Sequence, residues 1–168
     1  MNSATEILKL AMSMERQGQR FYEGFVDQVE NPVIKEIFLS LSKTEEEHYY
    51  ILKNELDKLE AGGQWSPTEQ LKPTIERSLF DIRLEAEKLN PEKLSISHSD
   101  ISLLRMAYLI ENDFAEYYKK AMDFTEDEAG KKILEMLYHW ENEHRRVFYE
   151  EYKRAMEGYW FDQSFSPF

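Results

Sequence analysis

Residues 41–52 read LSKTEEEHYYIL, and residues 137–148 read LYHWENEHRRVF. In each string a Leu, a Glu, a His and a further apolar residue recur at spacings of four, three and four: Leu41, Glu45, His48, Leu52 and Leu137, Glu141, His144, Phe148. That rhythm puts the four side chains on one face of an α-helix, with a Glu and a His inside an apolar stripe. A Glu three residues before a His proves little by itself in a chain with 25 Glu. The two strings lie 96 residues apart, however, and so do their neighbours.

Laying 4–60 over 100–156 without a gap gives thirteen identities in 57 positions. Among them are Leu8/Leu104, Ala11/Ala107, Glu15/Glu111, Tyr22/Tyr118, Leu41/Leu137, Glu45/Glu141, His48/His144 and Glu55/Glu151. Glu15 follows Leu8 by seven residues and Ala11 by four, so it points into the seam of its helix, and Glu111 stands in the same relation to Leu104 and Ala107. The shared register marks an internal duplication of a helical hairpin.

Helix signals frame both halves. A Ser3–Glu6 capping box opens a first helix that runs toward Val29. Asn31 as N-cap and Pro32 in the first turn open a second, which Gly62-Gly63 stops. A third spans about 99–124, and a Thr125–Glu128 capping box opens a fourth that ends near 157. Between the halves, 61–98 is broken by Pro67, Pro73 and Pro91 and fits a crossover with one short helix around 74–89, carrying Ile75, Leu79, Ile82 and Leu89. The expected fold is all-α: a four-helix bundle over 1–157, two antiparallel hairpins joined by a long crossover, with an aromatic tail over 158–168.

Composition narrows the function. The 168 residues carry a formal net charge of −12, which repels phosphate backbones and anionic lipid, so neither nucleic acid nor membrane is an expected partner. Cys is absent, which removes disulfides, thiolate metal sites and iron–sulfur clusters together. No apolar run approaches the ~20 residues of a membrane span, and the N-terminus has no signal-peptide core, so the expected location is the cytoplasm. Carboxylates and imidazoles are left to do chemistry. Glu15, Glu45, Glu111 and Glu141 in one seam would repel one another and cost several kcal/mol each to dehydrate unless neutralised. Two divalent cations balance four carboxylates, and His48 and His144 complete an oxygen/nitrogen donor set that suits iron or manganese.

The strings MERQGQRFY, EEEH, IENDFAEYY and ENEH, in that order, resemble the metal-bearing helices of rubrerythrin-type, ferritin-like diiron proteins. The resemblance implies that Glu45 and Glu141 bridge two iron ions, that Glu15 and Glu111 are terminal ligands, and that His48 and His144 each cap one ion. It places Tyr22 and Tyr118 near the cluster. It implies a redox protein acting on peroxide or dioxygen with an external, rubredoxin-like electron donor, and a homodimer or higher homo-oligomer. Two departures stand out. A further Glu usual in the family one turn after the third-helix ligand is Phe114 here, opposite Gly18, and the rubredoxin-like module is missing with its cysteines. Haem is not expected, because Glu46 stands where a related haem-binding bundle has its Met.

The remaining polar residues have plainer readings. Glu55 and Glu151 are expected to be solvated at a bundle end, and Glu47 and Glu143 to point off the seam. His98, before a cap, and His139, beside Trp140, have no partner in register. Trp65, Trp140 and Trp160 are expected to pack. Iron sequestration without turnover, or a metal-free bundle whose seam groups pair with each other, are the competing functions.

Overall fold

The computed structural model describes residues 3–71 and 96–162, with Leu79, Asp81, Ile82, Glu85 and Lys88 between them. Four long helices account for most of it: α1 (Ser3–Phe25), α2 (Pro32–Glu60), α3 (His98–Asp123) and α4 (Glu128–Asp162). α1 packs along α2 and α3 along α4. These are the two expected hairpins, and the described residues contain no strand.

The ends of the helices follow local chemistry. α1 tightens after Phe25 into a 3₁₀ turn, Val26–Gln28, ahead of the expected end. Asn31 Oδ1 then accepts from the Val33 and Ile34 amides at 2.9 and 3.2 Å, with Pro32 in the first turn of α2. At the far end Gly62 takes φ +79°, the Gly62 amide donates to Leu59 O and the Gly63 amide to Lys58 O. That pair of bonds is the glycine stop that satisfies two carbonyls otherwise left orphaned.

In the second hairpin the expected Thr125–Glu128 box does not form. Asp127 is the cap, its Oδ1 accepting from the Ala129 and Gly130 amides at 2.8 and 3.0 Å. The Thr125 hydroxyl instead donates back to Ala121 O at 2.9 Å. Asp127 is the counterpart of Asn31 at the 96-residue shift, so the duplication marks this cap where the local motif misleads. α3 starts one residue ahead of the expected boundary, capped by Ser97, whose hydroxyl accepts from the Asp100 amide. α4 continues to Asp162, so 158–162 prolong the helix rather than leaving it as a tail. Gly158 costs only about 1 kcal/mol inside a helix, too little to stop one.

The Ser3 side chain, 163–168 and most of the expected short helix, Ile75 and Leu89 included, lie outside the described residues. Leu79 and Ile82 are helical and buried.

Two apolar clusters fill the bundle. One contains Tyr22, Phe38, Leu41, Leu104, Ala107 and Phe148; the other contains Leu8, Ala11, Leu52, Tyr118, Ile133 and Leu137. On every helix the seam Glu lies between residues of one cluster and residues of the other. The carboxylates therefore form a polar layer closed above and below by hydrocarbon, which is where an uncompensated charge costs most.

Glu55 and Glu151 are not solvated: both are buried. The Glu55 carboxylate accepts from the Ser66 amide at 2.8 Å and the Ser66 hydroxyl at 2.5 Å, fastening the start of the crossover to α2. Glu151 lies 3.5 Å from Arg154 on its own helix. Buried Asp100 joins the hairpins, accepting from the Glu30 and Asn31 amides at 2.9 and 2.8 Å.

Candidate metal centre

The structure brings all six seam residues together. The four glutamates are fully buried, the His48 side chain is 2% exposed and that of His144 12%. His48 Nδ1 lies 2.8 Å from Glu141 Oε1, 3.4 Å from Glu15 Oε2 and 3.7 Å from Glu45 Oε2. His144 Nδ1 lies 3.2 Å from Glu111 Oε2, 3.3 Å from Glu141 Oε2 and 3.8 Å from Glu45 Oε1. Glu45 and Glu141 thus each turn one oxygen toward each histidine. Two overlapping donor sets result, Glu15/Glu45/His48/Glu141 and Glu45/Glu111/Glu141/His144, each with its donor atoms within 4.8 Å of one another. The imidazoles stack at 5.8 Å and 10°.

Tyr22 and Tyr118 complete the pseudo-symmetry. The Tyr22 hydroxyl donates to Glu111 Oε1, and the Tyr118 hydroxyl donates to Glu15 Oε1. Each tyrosine reaches from its own repeat to the seam glutamate on the first helix of the other, Glu111 or Glu15, and leaves that glutamate's second oxygen facing the histidine. Burial, then the neighbouring carboxylates, hold both phenols well above 10.

Without metal the cluster neutralises itself with protons. Burial, then the neighbouring glutamates, push Glu45 well above 4.5. Burial also lifts Glu111 to about 7 against the opposing pull of His144. Burial works against the imidazolium of His48, but Glu141 and Glu15 outweigh it and raise the group well above 6.5; His144, against the same penalty, is raised to about 9 by Glu111 and Glu141. Burial would raise Glu141 as well, yet the two histidines hold it well below 4.5.

Protons do not satisfy the geometry. Glu15 Oε2, both Glu45 oxygens, Glu141 Oε1 and His48 Nδ1 are buried and make no hydrogen bond. Orphaned buried polar atoms of this kind cost about 1–3 kcal/mol each, more when charged. They are the atoms that face into the two donor sets, so the residues fit a metal site. Carboxylate oxygen with imidazole nitrogen suits iron or manganese.

The sequence model of one protein family, rubrerythrin, matches residues 6–152. The chain belongs to the rubrerythrin family. No curated protein and no solved structure matches it. Within this rubrerythrin-family bundle the altered third-helix position is now visible. Phe114 is buried, and a Cβ built on Gly18 would sit 2.9 Å from its Cε2 and 3.5 Å from Glu45 Cγ. Phe114 therefore fills, beside the cluster, the space that Gly18 leaves open.

Trp140 was expected only to pack, yet its ring stacks on His48 at 5.1 Å and 15°. The contact crosses from α4 to α2, between hairpins, and no periodicity within one helix announces it. Its place directly before Glu141 was the available hint. Trp65 packs on Gly130, His98 meets Tyr159 and His139 meets Tyr138, all away from the cluster.

Proposed function

We propose that this bundle holds two divalent ions, iron or manganese, and reduces peroxide or dioxygen with electrons from an external donor. The observation that carries the reading is the pair of glutamates, Glu45 and Glu141, each turning one oxygen toward each histidine. Glu15 and His48 would complete one ion's ligands, Glu111 and His144 the other's, with Glu45 and Glu141 bridging. A bound redox pair supplies the two electrons that cleave an O–O bond. With two protons, peroxide then leaves as two waters.

The chain's own residues set the conditions. Tyr22 and Tyr118 stay protonated across the neutral range and donate to the terminal carboxylates, fixing which oxygen faces inward. The two apolar clusters exclude bulk water from the layer between them. Without Cys the chain has no thiolate-bound centre to relay electrons, so a separate rubredoxin-like or similar protein is the natural donor. No helix among the described residues is long and apolar enough to cross a membrane. Cytoplasmic location and a homodimer or higher assembly belong to the same proposal, and no haem is part of it.

The test is peroxide consumption by anaerobically reduced, iron-loaded protein. One peroxide per two irons, sustained when a chemical reductant is added, supports the proposal. Uptake of many irons per chain with no sustained consumption would favour sequestration.

Phe114 bears on how fast that turnover runs. A carboxylate at this position would help stabilise a ferric pair, and neither Phe114 nor Gly18 can supply one. Turnover should therefore be present but modest. Phe114→Glu should lower the reduction potential of the iron-loaded protein by about 60 mV or more, a tenfold shift for a one-electron couple. A redox titration of both proteins checks this; an unchanged or raised potential would contradict it.

A further inference from the structure

We infer that the two halves of the centre are unequal, with Trp140 a positioning residue that locks the half built on His48 while the half built on His144 exchanges freely. The inference rests on the dinuclear reading above and adds an order of exchange to it. The duplication relates Glu15 to Glu111 and His48 to His144, so identical halves are the default. Trp140 breaks the equivalence. Its indole stacks on His48 at 5.1 Å with planes 15° apart, and His144 stacks on His48 at 5.8 Å, so among the described residues His48 is stacked with two rings and His144 with one.

The counterpart of Trp140 at the 96-residue shift is Thr44, which has no ring to offer. Its hydroxyl donates to Ser40 O at 3.1 Å within its own helix. Exposure follows the same division, with the His48 side chain at 2% and His144 at 12%.

Exchange requires a histidine to swing away from the ion while water or a competing ligand takes its place. A stacked indole opposes that swing and keeps solvent off the ring; threonine does neither. Outer partners that orient a ligand typically change metal affinity about 10- to 100-fold when removed. The ion held by Glu15 and His48 should therefore leave slowly, and the ion held by Glu111 and His144 first.

The experiment uses Co(II) as the probe. Protein loaded with two equivalents is mixed with excess EDTA, and release is followed by loss of the visible cobalt absorption. Two phases of equal amplitude, at least about tenfold apart in rate, are expected. Trp140→Leu should speed the slow phase and leave the fast one unchanged, whereas Trp140→Phe, which keeps a ring, should restore the slow phase. A single phase in the unmodified protein, or an unaltered slow phase in Trp140→Leu, would overturn the inference. Fewer than two Co(II) bound to the folded chain would instead contradict the dinuclear reading itself.

Discussion

Loading the metal-free protein with two equivalents of Fe(II) under anaerobic conditions should raise its melting temperature by about 10 °C or more at pH 7. Two ions each present at 100 times their dissociation constant contribute about 5 kcal/mol, and a domain of this size gains about 2–4 °C per kcal/mol. The gap should widen with pH, for two reasons that point the same way. In the metal-free protein Glu111 is raised from 4.5 to about 7, so the folded state holds a proton the unfolded chain has lost, and stability falls as pH rises across that interval. His144 is raised from 6.5 to about 9, so its favourable contribution is complete below 6.5 and disappears as pH climbs through 9. Glu141, held low, contributes above 4.5 and matters only in stronger acid. Metal, meanwhile, must displace the protons on His48, His144, Glu45 and part of those on Glu111, so its affinity rises with pH. Melting curves from pH 5.5 to 8.5, with and without metal, check both slopes. Equal melting temperatures across the range would favour a metal-free structural bundle.

The second large effect falls on the shared carboxylates. Glu45→Ala and Glu141→Ala should each lose nearly all bound metal, not half of it, because each glutamate turns an oxygen to both donor sets. Removing a carboxylate shared by two ions leaves each short of a ligand and leaves the pair's positive charge underbalanced. Glu143→Ala, two residues from Glu141 but exposed, should retain metal in full. Elemental analysis of the folded variants decides it, and full retention by either shared-glutamate variant would remove the bridging assignment.

Much of this arrangement is legible in the chain. Glu15, Glu45, His48, Glu111, Glu141 and His144 stand out because polar groups at seam positions break the apolar rhythm of helices, and they do so twice at one shift. The hairpins follow from Asn31-Pro32 and Gly62-Gly63, whose backbone chemistry is local. What resists reading is what depends on contacts beyond a single helix. Glu55 looks like an end-of-helix surface group until Ser66, eleven residues on, folds back to donate to it. Trp140 looks like ordinary packing until α2 and α4 are side by side. The Thr125 capping box obeys the pattern and still fails, because Asp127 lies closer to the first turn and its carboxylate reaches two amides. The stop expected near 157 fails for a different reason: one exposed glycine weakens a helix without ending it.

The central claim is that duplicated helices build one centre for two metal ions, and its most direct test is stoichiometry. Protein stripped with chelator, reloaded with Fe(II) without oxygen and freed of excess by gel filtration should carry about two irons per chain, with release of protons at pH 7 as the ions displace them from the glutamates and histidines. Less than one iron per folded chain, or iron bound with no protons released, would contradict it.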